Sequence, residues 1–437
     1  MLDTIGCACA AIVAKAVDPV LDHVREMGGQ GEATVIGFPA KTSVLNAVLA
    51  NGALVRVLDL NDVMFTLKNG HLNIGGHRSD NIPVALAVGE KCGASGKAML
   101  ESIILNYELY GRLRELIHED APWDGASASG MVAAAMTGRL MGLDAARQAH
   151  GLALAAARSA TPKIVRYGDI SAAKSLANAL VAHNGVQSAL LAAKGVTGPL
   201  EILDHREAGI FQVFDPDLGL ERLWQDIPPV PQILNAHIKS YPSIGTSQTL
   251  VKAALDIRAR LNGRLDRIEL IEVTMTDVPA VRRQQSDRSR LYPKSREAAD
   301  HSFAYIAAVT LLDGELTHHQ FDGERWIKDQ AVRRLMECVA LEVSPELVKR
   351  APDSMPCSLR VRLAGGEELI AECLYPPGHS FADKGLDLAV VEAKFHEVSQ
   401  TVLSAPERRK VVEEVVRLDS QPSLQPLMSL LVKVRAP

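Results

Sequence analysis

The chain has 437 residues, with 47 Lys+Arg against 52 Asp+Glu and a formal net charge of −5. That near balance excludes the basic field of a non-specific nucleic-acid binder, and 47% apolar with 23% charged residues excludes global disorder. Aromatic residues make up only 4% of the chain, so the core must be built from Ala and aliphatic side chains, which favours helices over sheets.

Residues 1–16 are apolar but carry Asp3 and no basic n-region, so they read as a first helix rather than a signal peptide. No uninterrupted apolar run reaches the roughly 18 residues of a membrane span. Cys7, Cys9, Cys92, Cys338, Cys357 and Cys373 show no C-x-x-C spacing, as expected for reduced thiols in a cytoplasmic protein. Apolar residues three and four apart predict helices over 82–92, 98–114, 130–141, 145–159, 171–194 and 247–261. Ser95 and Asp144 stand where two of these need N-caps. The run 151–157 has no polar face and belongs in the centre of a bundle or at a subunit interface.

The pattern changes after Asn262-Gly263. Ile271, Val273 and Met275 alternate with polar residues, the period of a half-buried strand. Leu359, Val361 and Leu363, followed by Gly365-Gly366 and an apolar stretch over 369–375, read as a hairpin. Segments 298–312, 326–339, 388–403 and 407–418 are helical in pattern. The expected fold class is mainly α with an α+β second domain. Residues 1–263 form an all-helical domain, 264–395 an inserted α+β lid, and 396–437 helices that pack back on the first domain.

Several familiar motifs fail. Gly93-Ala-Ser-Gly96-Lys97 lacks the first Gly and the Ser/Thr of a phosphate loop, and no G-x-S-x-G, H-E-x-x-H or G-x-G-x-x-G is present. The stretch Arg282, Arg283, Arg288, Arg290, Lys294 and Arg296 is interspersed with acids and reads as a solvated loop, with anion recruitment as the other reading.

Polar residues crowd in one region. Asp59 and Asp62, three apart, are expected on one helix face, and the Gly-rich segment 70–76 lets a His approach it. Ser79 or Asp80 can cap the helix that starts at Ile82. The plainer alternative is an N-cap beside an exposed loop. Another is a metal-dependent hydrolase with Asp59, Asp62, His71 and His77 as ligands.

Five ordered segments narrow the choice. Leu58-Asp59-Leu60-Asn61-Asp62, Gly76-His77-Arg78-Ser79-Asp80-Asn81, Arg166-Tyr167-Gly168 through Lys174, Lys239-Ser240-Tyr241-Pro242, and Asp300-His301-Ser302 through Tyr305 with Leu312-Asp313-Gly314 together resemble the MmgE/PrpD family. The resemblance implies a helical domain with an inserted lid, a site in the cleft between them, and a homodimer. It also implies catalytic roles for Asp59, His77, Lys174, Lys239 and Tyr305, and substrate contacts from Asn61, Asp62, Arg78, Ser79, Arg166, Tyr241 and His301. The implied reaction is cofactor-independent and metal-free: a proton is abstracted next to a carboxylate of a small di- or tricarboxylate, with loss of water as in 2-methylcitrate dehydratases. Epimerisation or isomerisation, and decarboxylation of a cis-aconitate type, share its first requirements, and a non-enzymatic helical binding protein stands further off.

The chemistry fits these residue types. A carbanion beside a carboxylate needs preorganised cations, which Lys174 and Lys239 can supply. His77 suits proton transfer near neutral pH, with Asp59 orienting it, and Tyr305 can donate to a leaving hydroxyl. The chain departs from the family spelling at Arg78, where relatives have Pro, at Val63, where some have a hydroxyl, and at Pro122-Trp123-Asp124-Gly125, where relatives often place a His. Arg78 is left as either a carboxylate ligand or a surface residue. The expected partner is the small carboxylate substrate, with no nucleic acid and no membrane.

Overall fold

A computed structural model describes residues 1–68, 71–118, 120–225, 227, 229–382 and 386–432, with backbone alone at 66–68 and 71–74. Two hydrophobic cores organise it. The first gathers helices Leu2–Ala14, Val44–Arg56, Ile82–Cys92, Gly96–Leu116 and Ala126–Leu140 together with the C-terminal helices. Helix Leu2–Ala14 packs against Leu388–Ser399, and Lys394 Nζ donates to Asp3 and, at 2.8 Å, to the Leu60 carbonyl. Both ends of the chain therefore build this unit.

Small residues let its helices approach closely. A Cβ on Gly52 would lie 2.8 Å from Ala179 Cβ, and one on Gly185 would lie 2.1 Å from the Gly130 carbonyl oxygen. Helix Ala173–Ala193 is thereby seated between its neighbours with its first turn, including Lys174, under the end of Val44–Arg56. Ser95 and Asp144 cap their helices as expected, accepting from the backbone N–H of Ala98 and Arg147.

The second core is a four-stranded sheet covered by helices. Its order is Val339–Ser344, Ile268–Thr276, Cys357–Leu363, Glu368–Cys373, with the first pair parallel and the others antiparallel. Ile271, Val273 and Met275 are fully buried, as their alternation predicts. The protein is mainly α with an α+β portion in two domains.

Four expectations change. The first unit is not all-helical: Ala33–Thr34 pairs with Lys41–Thr42, and Met64–Lys68 pairs with His71–Gly76 where a Gly-rich loop was expected. Helix Gln248–Leu261 buries Leu250, Ile257 and Leu261 in the second core, and Leu388–Ser399 buries Phe395 in the first. The inserted unit thus starts before 248 and ends before 388, rather than spanning 264–395. Segment 326–339 is helical only to Glu337, after which Val339–Ser344 enters the sheet. All its residues but exposed Glu342 are half-buried, so it lacks the alternation that marks a strand. Finally, the helix expected over 298–312 is broken at Asp300-His301, and Phe303–Asp313 restarts with Ser302 as its cap.

Candidate active site

Helix Val44–Arg56 ends just before the crowded segment, and Asp59 adopts φ 49°, a left-handed conformation uncommon outside glycine. Such outliers persist where the surroundings over-determine them, and here three buried cations do so. Arg56 Nη1 lies 2.8 Å from Asp59 Oδ1, Lys174 Nζ lies 2.7 Å from Oδ2, and Lys239 Nζ donates to Oδ1 as well as to the Ser243 carbonyl. Burial alone would raise the Asp59 carboxyl, yet Arg56, Lys174 and Lys239 hold it well below its usual range. Burial lowers both lysines, Lys174 to about 8 against the opposing pull of Asp300 and Asp59.

The left-handed turn also separates Asp59 from Asp62, so the two do not share a helix face. Asp62 instead accepts from Ser79 Oγ and from Tyr107 Oη, each at 2.6 Å. Its carbonyl oxygen lies 2.6 Å from His77 Nδ1. A carbonyl only accepts, so Nδ1 carries the proton. Burial, with Arg56 and Lys239 adding to it, holds His77 well below its usual value and so neutral; Nε2 is left with a lone pair. The hairpin that delivers His77 ends at Gly76, at φ 89°, where a Cβ would meet the Tyr110 hydroxyl at 2.9 Å. Only glycine fits there.

From the second unit, the helix break brings His301 across. Its Nε2 is 3.5 Å from Asp59 Oδ2, and its Nδ1 contacts Asp300. Burial and Lys174 push His301 down to about 3 against the two carboxylates. Asp59, His77, Asn178 and Arg166 face His301 and Arg290 across a cleft of about 720 Å³ between the units. Arg296 Nη1 donates to the Val57 carbonyl at 2.8 Å, tying the second unit to the Asp59 turn.

Of the expected site residues, Asp59, His77, Arg166 and His301 line the cleft, and Lys174 and Lys239 lie directly behind Asp59. Tyr305 does not reach it: its hydroxyl donates to the Gln320 carbonyl, and its ring packs on Phe321 and Trp326 in the second core. Tyr241 is packed against that same core. Asn61 bonds Ser79 and Asp80 at 2.9 and 2.7 Å, so Asn61, Asp62 and Ser79 shape the floor from behind. Neither Ser79 nor Asp80 caps the following helix. Arg78 is neither carboxylate ligand nor surface residue: it is buried, donating to the Tyr107 carbonyl at 2.9 Å and to Gln232 at 2.6 Å.

Three residues escaped the sequence reading. Arg56 sits on an apolar helix three residues before Asp59, a spacing that could have flagged it. Asp300 was adjacent to a named His, and Asp124 stands where the absent His of its segment would be and accepts from Arg166 Nε and Nη2 at 2.5 and 2.9 Å.

The site can also be tested for a metal. Asp59, Asp300 and His301 each offer a ligand atom, all within 4.8 Å of one another, but Asp59 is already neutralised by three protein cations, which a metal ion would have to displace. The set Asp59, Asp62, His71 and His77 does not assemble. Asp62 is occupied by Ser79 and Tyr107, His77 Nδ1 by a carbonyl, and the His71 side chain lies outside the described residues.

Comparison with known proteins decides the lineage. The MmgE/PrpD N-terminal domain matches residues 1–222 and the MmgE/PrpD C-terminal domain matches residues 241–418. The chain belongs to the MmgE/PrpD family. Among its relatives is the cis-aconitate decarboxylase of Mus musculus, 26% identical over 84% of this chain and 74% of that protein. The 2-methylcitrate dehydratase of Cupriavidus necator is 25% identical over 87% and 80%. The human cis-aconitate decarboxylase is 24% identical over 99% and 88%. The break between the two family domains, 222 to 241, coincides with the segment that leads into Lys239. Among the described residues, no single helix is long and apolar enough to cross a membrane.

Proposed function

We propose that this protein is an MmgE/PrpD lyase that removes a proton next to a carboxylate of a small di- or tricarboxylate and expels water, in the manner of a 2-methylcitrate dehydratase. The observation that carries the reading is His77, neutral, with its tautomer fixed by the Asp62 carbonyl and its ring in a cleft beside a cation-caged Asp59. Nε2 takes the proton, and negative charge develops on the neighbouring carboxylate. Arg56, Lys174 and Lys239 set three positive charges against Asp59 and Asp300 at this point, a preorganised field for that charge. The hydroxyl then leaves with the proton held on Nε2, so one proton and one hydroxide depart as water and an alkene remains. Placing Tyr305 in the core removes the phenol expected to assist this departure and leaves His77 to serve both steps.

The names of the relatives, decarboxylase and dehydratase, support a lyase. Incubation of the purified protein with 2-methylcitrate, cis-aconitate and related carboxylates in heavy water tests it. Alkene formation from a hydroxy acid is expected. Deuterium incorporation at carbon without alkene would replace dehydration by isomerisation, and carbon dioxide release would replace it by decarboxylation.

A further inference from the structure

We propose that Arg290, on the second unit, is the group that receives a substrate carboxylate remote from the proton taken by His77, so that one ligand bridges the two units. The inference rests on the carboxylate-substrate reading above. The basic stretch that sequence alone leaves as a solvated loop is not solvated at this position: Arg290 is 4% exposed and lines the cleft.

Four of the other five cleft arginines have a charged or ring partner, and the fifth, Arg114, is only half-buried. Arg56 pairs with Asp59, Arg166 with Asp124 and Arg282 with Asp277, while Arg283 stacks on the Tyr167 ring 4.0 Å away. Arg290 spends only Nη2, donating to the Arg166 carbonyl at 3.1 Å. Its Nε and Nη1 are buried without a hydrogen-bond partner among the described residues. Leaving charged donors unpaired in a buried site is costly, and burial accordingly lowers Arg290 to about 10 despite the pull of Asp287 and Asp300. Nε–H and Nη1–H lie on opposite edges of the guanidinium, so a carboxylate takes two parallel hydrogen bonds from one of them together with the second hydrogen of Nη2. The backbone beneath it is fixed, because Ser302 Oγ donates to the Arg290 carbonyl and Ser295 Oγ to the Ile170 carbonyl.

Calorimetric titration of the wild type, Arg290→Met and Arg290→Lys with small di- and tricarboxylates and their matched monoamides tests this. The wild type is expected to prefer the free acids. Arg290→Met should weaken them by about 10- to 100-fold while the amides change little, and Arg290→Lys should recover part of the preference because it keeps charge but loses the fork. Equal weakening of acids and amides by both variants would reduce Arg290 to a structural part and overturn the proposal, as would an unchanged preference. If Arg290→Met does not fold, the Arg290→Lys preference decides alone. Absence of any carboxylate binding by the wild type would overturn the function proposed above as well, which separates the two failures.

Discussion

Arg56 Nη1 lies 2.8 Å from Asp59 Oδ1, three residues further along the chain, with both side chains about 1% exposed. The pair closes the left-handed turn at the end of the helix and aims the carboxylate at Lys174 and Lys239. Removing one partner of a buried ion pair leaves the other uncompensated, at a cost of about 3–5 kcal/mol. Asp59→Asn should therefore lower the urea midpoint markedly and abolish turnover, and Arg56→Met should do so to a lesser degree because two lysines remain. The sign of the pH dependence follows from the depressed Asp59 carboxyl. Its contribution is fully present above the ordinary carboxylate value of 3.8 and is lost as pH falls through the lower folded value. Urea midpoints measured from pH 5 to pH 2 would show it, and Asp59→Asn should flatten that part of the curve.

His77 is held below the ordinary histidine value of 6.5, chiefly by burial. A base already neutral at that pH keeps working as the solution is acidified, so the acid limb of the kcat/KM profile should lie below 6.5. An acid limb at or above 6.5 would contradict the role of Nε2. His77→Gln should keep the fold, checked by circular dichroism, and lose turnover by about 10²- to 10⁴-fold.

Lys174, lowered to about 8, sets the opposite limb. As pH rises through about 8 the ammonium loses its proton, one cation leaves the Asp59 cage, and kcat/KM should fall. Lys174→Arg, charged at all these pH values, should move that limb upward while kcat at pH 7 changes less than for Lys174→Met.

Tyr305 offers a contrast, because its hydroxyl is engaged with the Gln320 carbonyl away from the cleft. Tyr305→Phe should leave kcat and KM near wild type and cost about 1 kcal/mol of stability. A fall in kcat of tenfold or more would return the phenol to the reaction.

Gly185 packs against the backbone of a neighbouring helix, where a Cβ would lie 2.1 Å from the Gly130 carbonyl oxygen. Gly185→Ala, favourable by helix propensity, should nonetheless lower the melting temperature, since neither backbone can yield without moving helix Ala173–Ala193 and the Lys174 it carries.

Most of the helices, the hairpin Cys357–Leu363 to Glu368–Cys373, the family and its ordered segments were legible in the sequence, because apolar period and motif spelling are properties of short stretches. The helix over 82–92 coincides with Ile82–Cys92 residue for residue. Tertiary structure alone decided which polar residues meet. Lys174, Lys239 and His301 lie 115 to 242 positions from Asp59, and nothing local to any of them encodes that convergence. The same holds for Tyr305, whose spelling suits a site but whose neighbours Phe321 and Trp326 make it core. It holds equally for Arg290, which looks solvated in a charged stretch until a second unit buries it. In keeping with a core of small side chains, Gly52 and Gly185 allow the close helix crossings that put Lys174 beneath Asp59.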